Sequence, residues 1–212
     1  MTNIEEKLTQ IECSGIHAVD FFSNEHKKDR EWQVLGAVRR LLVAGGRGQD
    51  APVFAEANEP PDFVAYISNA ANEEKRRVYV EVVDVLKPGY KRDEFHKDDA
   101  KPNAPERYEV DPPLANPWEP LRQEIKKKAL KHYERPILLI VYHTLPRCCF
   151  KARHGPFHSQ ILDEHRREPF VGVEAFDRAL ILNCDMQSLV ELHPHPETIV
   201  PDIPFPISPN GS

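Results

Sequence analysis

The chain has 212 residues, a formal net charge of −6 and 40% hydrophobic residues, which suits one soluble globular domain with appendages. It contains no apolar run near the ~18 residues that a membrane-spanning helix needs. Its first residues carry acids in place of the apolar region of a secretion signal. We therefore expect a cytoplasmic protein with no membrane partner, in which the four cysteines are reduced thiols.

The sequence predicts a single domain over residues 1–212, with a core from about residue 28 to residue 185. Residues 1–26 are expected to precede the core as a loose helical extension. A proline-rich tail from Leu192 is expected to lie extended on the surface. No internal repeat is visible, and no feature of the sequence indicates an oligomeric state.

Hydrophobic periodicity and turn residues predict the elements of the core. In chain order they are a helix over Lys28–Ala44, a short strand at Val53–Phe54, strands over 61–67 and 77–86, a helix over 118–134, a strand over 137–142, a short helix over Ser159–Arg167 and a strand over 176–183. A charged, proline-rich connection fills residues 87–120. Strands and helices mixed in this order predict a three-layer α/β domain with a mixed sheet.

One acid lies within the strand predicted over 77–86. Glu81 is flanked there by residues that are apolar on both faces of the strand. A carboxylate in such a strand is costly unless it is paired with a cation or bound to a metal. Asp62 opens the preceding strand, so the two acids can converge at one end of the sheet. Asp84 is expected to point to the opposite face from Glu81.

Pro61-Asp62, followed by Glu81-Val82-Val83 on the next strand, resembles the PD-(D/E)XK signature of restriction-endonuclease-like nucleases. The resemblance covers about residues 28–142 and includes an acid on the first helix, Glu31. It implies a restriction-endonuclease-like core, in which helices flank a central mixed β-sheet. It also implies an endonuclease that hydrolyses phosphodiester bonds in nucleic acid.

The same resemblance implies a magnesium or manganese site. Its ligands would be Asp62 and Glu81, with Glu31 as the third. Mg²⁺ keeps several waters, so two or three carboxylates suffice to hold it. The metal would neutralise the phosphate and lower the pKa of a bound water.

The family's lysine is missing from its usual place, because position 83 is valine. In some members of the family the lysine comes from the following helix, where this chain has Lys126, Lys127 and Lys128. Lys128 is adjacent to the apolar stripe and is the preferred candidate, with Lys127 second. The stripe is predicted to contain Leu121, Ile125, Ala129 and His132. The expected catalytic set is therefore Asp62, Glu81 and Lys128.

A basic segment lies between Leu121 and His154, where Glu124 and Glu134 are the only acids. Such a segment on an acidic protein is compatible with nucleic-acid binding, with DNA expected ahead of RNA. Lys87, Lys127 and Lys131 are the expected contacts. A solvated basic helix is the alternative interpretation.

Three other functions stay open. The first is a nuclease-like fold that is catalytically inactive and acts as a nucleic-acid-binding or assembly module, which Val83 allows. The second is a histidine metal site. The third is a thiol nucleophile paired with a nearby histidine. The candidates for the last two are His143, His154, His158, His193 and His195, and Cys148 and Cys149.

Overall fold

The structure is a computed structural model, and it describes residues 27–47, 51–57, 61, 63–68, 75–85, 116–143, 156–183 and 186–201. The expected N-terminal helical extension lies outside these residues, and so does most of the connection over 87–120. No helix in the described ranges is both long enough and apolar enough to cross a membrane.

Within the described ranges seven strands form one sheet, and their order in the sheet is their order in the chain. They are β1 (Val53–Glu56), β2 (Phe63–Ser68), β3 (Lys75–Val85), β4 (Ile137–His143), β5 (Arg178–Leu182), β6 (Leu189–His193) and β7 (Glu197–Val200). β3, β4 and β5 are mutually parallel, and the other neighbouring pairs are antiparallel. The predicted mixed sheet is therefore confirmed.

Helices cover both faces of this sheet. Helix α1 (Lys27–Leu42) packs on the face that carries Val78 and Val80 of β3. Helices α2 (Trp118–Ala129) and α3 (Phe157–Arg167) pack on the face that carries Val83 and Val85. Because parallel neighbours need long crossover connections, α2 links β3 to β4 and α3 links β4 to β5. The chain is an α/β protein with apolar packing on each side of the sheet.

The central strand β4 is buried at each of its residues. Leu138 and Ile140 pack on the α1 side, and Leu139 and Val141 pack on the side of α2 and α3. A strand covered on both faces has no solvated side chains, which explains the uninterrupted apolar run in the sequence.

Helix α2 ends at Ala129, although the sequence predicted an end at Glu134. The residues from Lys131 to Pro136 form an irregular connection, and His132 is exposed there, so its assignment to the buried stripe is wrong. Arg135 precedes a proline, and a residue in that position disfavours the helical conformation. The chain also has to leave the helix layer before it enters the sheet at Ile137.

The first part of the predicted tail from Leu192 is extended and belongs to the sheet, and residues 202–212 lie outside the described residues. Residues 189–193 and 197–200 form β6 and β7, which extend the sheet beyond the expected core boundary near residue 185. In β6, Leu189, Val190 and Leu192 are buried. Prolines in this segment fall between or after the strands, where a missing backbone donor costs little.

Arg122 fastens α2 to α3. Its Nη2 atom lies 2.6 Å from Oε1 of Glu164, which is buried. Its Nη1 atom donates hydrogen bonds to the backbone oxygens of Glu168 and Pro169 at 2.8 and 3.3 Å. The guanidinium also lies over the ring of Phe170, 4.7 Å from its centroid. These contacts fix the helix that carries the lysine run.

His165 lies next to this cluster and makes the stability of the fold depend on pH. Its Nδ1 atom accepts a hydrogen bond from the backbone amide of Phe170 at 3.1 Å. Burial lowers the pKa of His165, and the positive charge of Arg122 and the neighbouring His193 lower it further. The unfolded chain therefore binds this proton more readily than the folded protein, so stability falls as the pH drops below the ordinary histidine pKa of about 6.5.

We expect the free energy of unfolding of the wild type to fall more steeply between about pH 7 and about pH 5 than that of His165→Gln. The extra slope cannot exceed about 1.4 kcal/mol per pH unit for a single site. Urea unfolding at a series of pH values measures it. Equal slopes for the two proteins would contradict the assignment.

Candidate active site

Glu81 lies in the middle of β3 and faces the layer that contains α2 and α3. Val83, two residues on, belongs to the apolar cluster on that side, while Val80 belongs to the cluster under α1. Side chains alternate along a strand, so Glu81 shares its face with Tyr79 and Val83. In the parallel pairing with β4, Glu81 lies opposite Leu139.

Lys128 reaches Glu81 from the last turn of α2. Its Nζ atom forms an ion pair and a hydrogen bond with Oε1 of Glu81. The lysine side chain is 18% exposed and the glutamate side chain 12% exposed, so water screens their attraction only weakly. The costly carboxylate of the central strand therefore has a cation as partner, and that cation is the preferred lysine of the sequence prediction.

The packing of α2 explains why Lys128 points to the sheet and Lys127 points to solvent. Leu121 and Ile125 of α2 are fully buried against the sheet. Lys128 follows Ile125 by nearly one helical turn and so projects toward the same side. Lys127 points away, is 67% exposed and pairs with Glu124 at 3.3 Å. Lys131 follows the end of the helix and is exposed.

Tyr133 also belongs to this cluster, although no pattern in the sequence selects it. Its ring packs against Phe176, with the ring centroids 6.1 Å apart. Its hydroxyl oxygen is buried. Burial raises the pKa of Tyr133, and the negative charge of Glu81 and a hydrogen bond to its carboxylate raise the pKa further. The phenol therefore stays protonated and is a donor close to the carboxylate.

Asp62 lies outside the described residues, and the strand β2 begins directly after it. Phe63 pairs with Val80 across the antiparallel ladder of β2 and β3, and both side chains pack on the α1 face. Lys87 also lies outside the described residues. These two expected site residues remain predictions.

The structure does not bring Glu31 to Glu81. Glu31 is buried on α1 and pairs with Lys27 at 3.3 Å. It lines a small cleft together with Val82 and Asp84, which lie on the α1 face of β3. The whole thickness of the sheet separates Glu31 from Glu81, so the two carboxylates cannot share one ion in this arrangement. Asp84 lies on the face that strand alternation predicted.

The described histidines do not gather into a metal centre, and all four cysteines lie outside the described residues. His143 is fully buried at the end of β4 and packs on Phe157, with the ring centroids 4.7 Å apart. The described part of the chain contains no group of three or more His, Cys, Asp or Glu residues that could hold a metal ion. His154, Cys148 and Cys149 lie outside it.

Comparisons with known proteins identify no relative of this chain. No family model, no curated protein and no solved structure matches the chain. The candidate function therefore depends on the chemistry of the Glu81 site alone.

The buried ion pair gives a prediction about stability. Lys128→Met should lower the free energy of unfolding by about 3 kcal/mol, because it leaves the charge of Glu81 buried without a cation beside it. The double variant Glu81→Leu with Lys128→Met should recover most of that loss, because an apolar pair needs no solvation. Urea unfolding of the three proteins measures both effects.

Lys127→Met is the matched control for the lysine run. It removes an exposed lysine from the same helix, and surface ion pairs contribute at most about 1 kcal/mol. If Lys128→Met costs no more than Lys127→Met, the pair with Glu81 contributes nothing to the fold.

Proposed function

We propose that this protein is a metal-dependent endonuclease with a restriction-endonuclease-like core, which hydrolyses phosphodiester bonds in nucleic acid. The observation that carries the proposal is the pair of Glu81 and Lys128. Val83 occupies the position on β3 where the family usually has its lysine, and it carries no charge. Lys128 of α2 places a positive charge next to the same carboxylate instead. This pairing supports the migrated lysine that the sequence resemblance implies.

The residues present fit a hard divalent cation. Glu81 offers carboxylate oxygens, and Lys128 contacts only one of them. Mg²⁺ usually needs one or two carboxylates, because waters and substrate phosphate oxygens complete its shell. Asp62 is the proposed second ligand, and Glu31 is not included because it faces the other side of the sheet. Bound Mg²⁺ or Mn²⁺ would neutralise the phosphate and supply an acidified water.

Lys128 has a defined role in this proposal. The attacking water gives one proton to solvent, and the resulting hydroxide oxygen forms a bond to phosphorus. The bond from phosphorus to the leaving sugar oxygen breaks, and a solvent water protonates that oxygen. The ammonium group of Lys128 donates a hydrogen bond to the attacking hydroxide and offsets the charge that develops on the phosphate. Its low exposure strengthens this effect, because the local dielectric is lower than that of water.

Substrate contacts are proposed for the exposed side of the same region. Lys127 and Lys131 project to solvent at and just beyond the last turn of α2, within a few residues of Lys128. Exposed lysines there can contact backbone phosphates on either side of the bond that is cut. Lys87 completes the proposed set, and DNA is the proposed partner.

A cleavage assay with Mg²⁺ or Mn²⁺ tests the function on single- and double-stranded DNA and RNA. We expect cleavage by the wild type and a loss of about 100-fold or more for Glu81→Gln and for Lys128→Met. Lys126→Met, on the exposed side of the same helix, should change the rate less than about twofold. Cleavage in the presence of a chelator would contradict the proposal, and so would cleavage at the full rate by Glu81→Gln.

Moving the lysine from position 128 to position 83 tests whether the two positions can serve the same role. Val83 lies two residues from Glu81 on the same face of β3, so Val83→Lys puts an ammonium group at the family's usual position. We expect the double variant Val83→Lys with Lys128→Ala to recover at least about tenfold of the activity that Lys128→Ala alone loses. Unfolding curves confirm that both proteins are folded. No recovery in a folded double variant would contradict the shared role.

The second candidate function is a nuclease-like module that binds nucleic acid without cutting it. Glu81 and Lys128 neutralise each other's charge, which favours this alternative, because such an ion pair can have a purely structural role. It predicts binding without metal, with an affinity that falls steeply as salt is added. Binding assays on Lys127→Ala and Lys131→Ala variants should show a shallower dependence on salt.

A further inference from the structure

The two most exposed large apolar side chains in the described part of the chain flank one contact. Leu130 is 76% exposed and Val171 is 64% exposed. Leu130 directly follows Ala129 at the end of α2, and Val171 directly precedes Gly172. A Cβ on Gly172 would lie 2.7 Å from that of Ala129, so the turn packs against the end of the helix. Single apolar residues on a surface are common, but these two are presented together.

Both neighbours of Val171 hold this turn in place. Phe170 is fully buried, and its backbone amide donates a hydrogen bond to Nδ1 of His165 at 3.1 Å. The amide of Gly172 donates to a carboxylate oxygen of Glu174 at 3.0 Å. Gly172 is buried and has a φ of 103°, which residues with a side chain rarely adopt. Val171 is therefore presented to solvent on a fixed turn.

Positive charge lies next to Leu130. Lys127 precedes it by three residues, so the two side chains lie on the same side of α2. Lys131 directly follows it, and both lysines are exposed. Lys127 pairs with Glu124 at 3.3 Å, whereas Lys131 has no ion pair with a described residue. The exposed apolar surface is thus bordered by cations on a protein whose net charge is −6.

A nucleic acid with unstacked bases matches this combination of charge and apolar surface. Lysines contact backbone phosphates, and leucine is among the side chains that insert between base steps. Leu130 lies on the solvent side of α2, whereas Lys128 reaches Glu81 on the sheet side. A helix is about 10 Å across and a strand of DNA rises about 3.4 Å per nucleotide, which separates the two places by about three nucleotides.

We propose that Leu130 and Val171 form an apolar wedge that selects nucleic acid with an unstacked base step near the bond that is cut. Leu130 enters the step, Val171 contacts the adjoining base, and Lys127 and Lys131 bind the phosphates on either side. The preferred substrates are single strands and duplexes with a mismatch, because their bases unstack at a lower cost than paired bases. The wedge deepens the proposed nuclease function and rests on it.

Fluorescence anisotropy in the presence of a chelator tests the wedge on two DNA duplexes that differ only in a central mismatch. We expect the wild type to bind the mismatched duplex about tenfold more tightly, because the paired duplex has to be unstacked first. Leu130→Ser should bind the two duplexes within about twofold of each other. Leu130→Met should keep the preference, because methionine is also an apolar wedge.

Val43→Ser is the matched control, because Val43 is an exposed valine that directly follows α1 on the opposite face of the sheet. It should leave the preference unchanged. Equal affinity of the wild type for the two duplexes would overturn the inference, and so would a preference that persists in Leu130→Ser. Either result would leave the proposed nuclease function standing, because cleavage with Mg²⁺ is measured separately.

Two further measurements test other partners for the same surface. Vesicles of phosphatidylserine and phosphatidylcholine test an anionic membrane, and analytical ultracentrifugation tests a second copy of this chain. Vesicle binding or a dimer that Leu130→Ser abolishes, with an unchanged affinity for both duplexes, would overturn the wedge. If the wild type binds neither duplex, the wedge fails together with the substrate contacts proposed for Lys127 and Lys131. The cleavage assay then tests the pair of Glu81 and Lys128 independently.

Discussion

The burial of the Glu81 carboxylate in a strand that is covered on both faces is the constraint on which the rest of the site depends. An ionised side chain there is tolerated only if a cation is held against it. Lys128 meets that need, and the pair has little exposure to water. The sheet layer and the helix layer are thus joined by an electrostatic contact in addition to their apolar packing. The geometry that stabilises the fold is also the geometry that a hydrolytic site would use.

The position of Lys128 depends on contacts far from the lysine itself. Leu121 and Ile125 bury one side of α2 against the sheet. Arg122 ties the start of the helix to α3 through Glu164. At the other end, Gly172 adopts a φ of 103°, and a Cβ there would lie 2.7 Å from that of Ala129. A close turn therefore packs under the end of the helix, and the lysine has few alternative positions.

The sheet also divides the acids of the chain into two sets. Glu81 faces α2 and α3, whereas Asp84 faces α1 and lines one small cleft with Glu31 of that helix. A sheet of normal thickness keeps carboxylates on its two faces out of a common coordination shell. The site is therefore narrower than the sequence suggested, with Glu81, Lys128 and Tyr133 in one cluster. Glu31 belongs to the packing of α1, where Lys27 neutralises it.

Local sequence patterns were enough to predict the elements whose burial pattern is strong. The apolar runs of β3 and β4, the periodicity of α1 and the choice of Lys128 beside Ile125 all follow from local spacing, because side-chain direction repeats regularly within a strand or a helix. Contacts between elements, in contrast, set the face of the sheet that Glu31 meets and the residue at which α2 ends. They also place residues 189–193 and 197–200 in the sheet. The sequence could not predict that Tyr133 lies near Glu81, because Tyr133 is in an irregular connection that has no helical or strand periodicity. Periodicity shows which side of an element is apolar, but contacts between elements depend on how the connections cross the sheet.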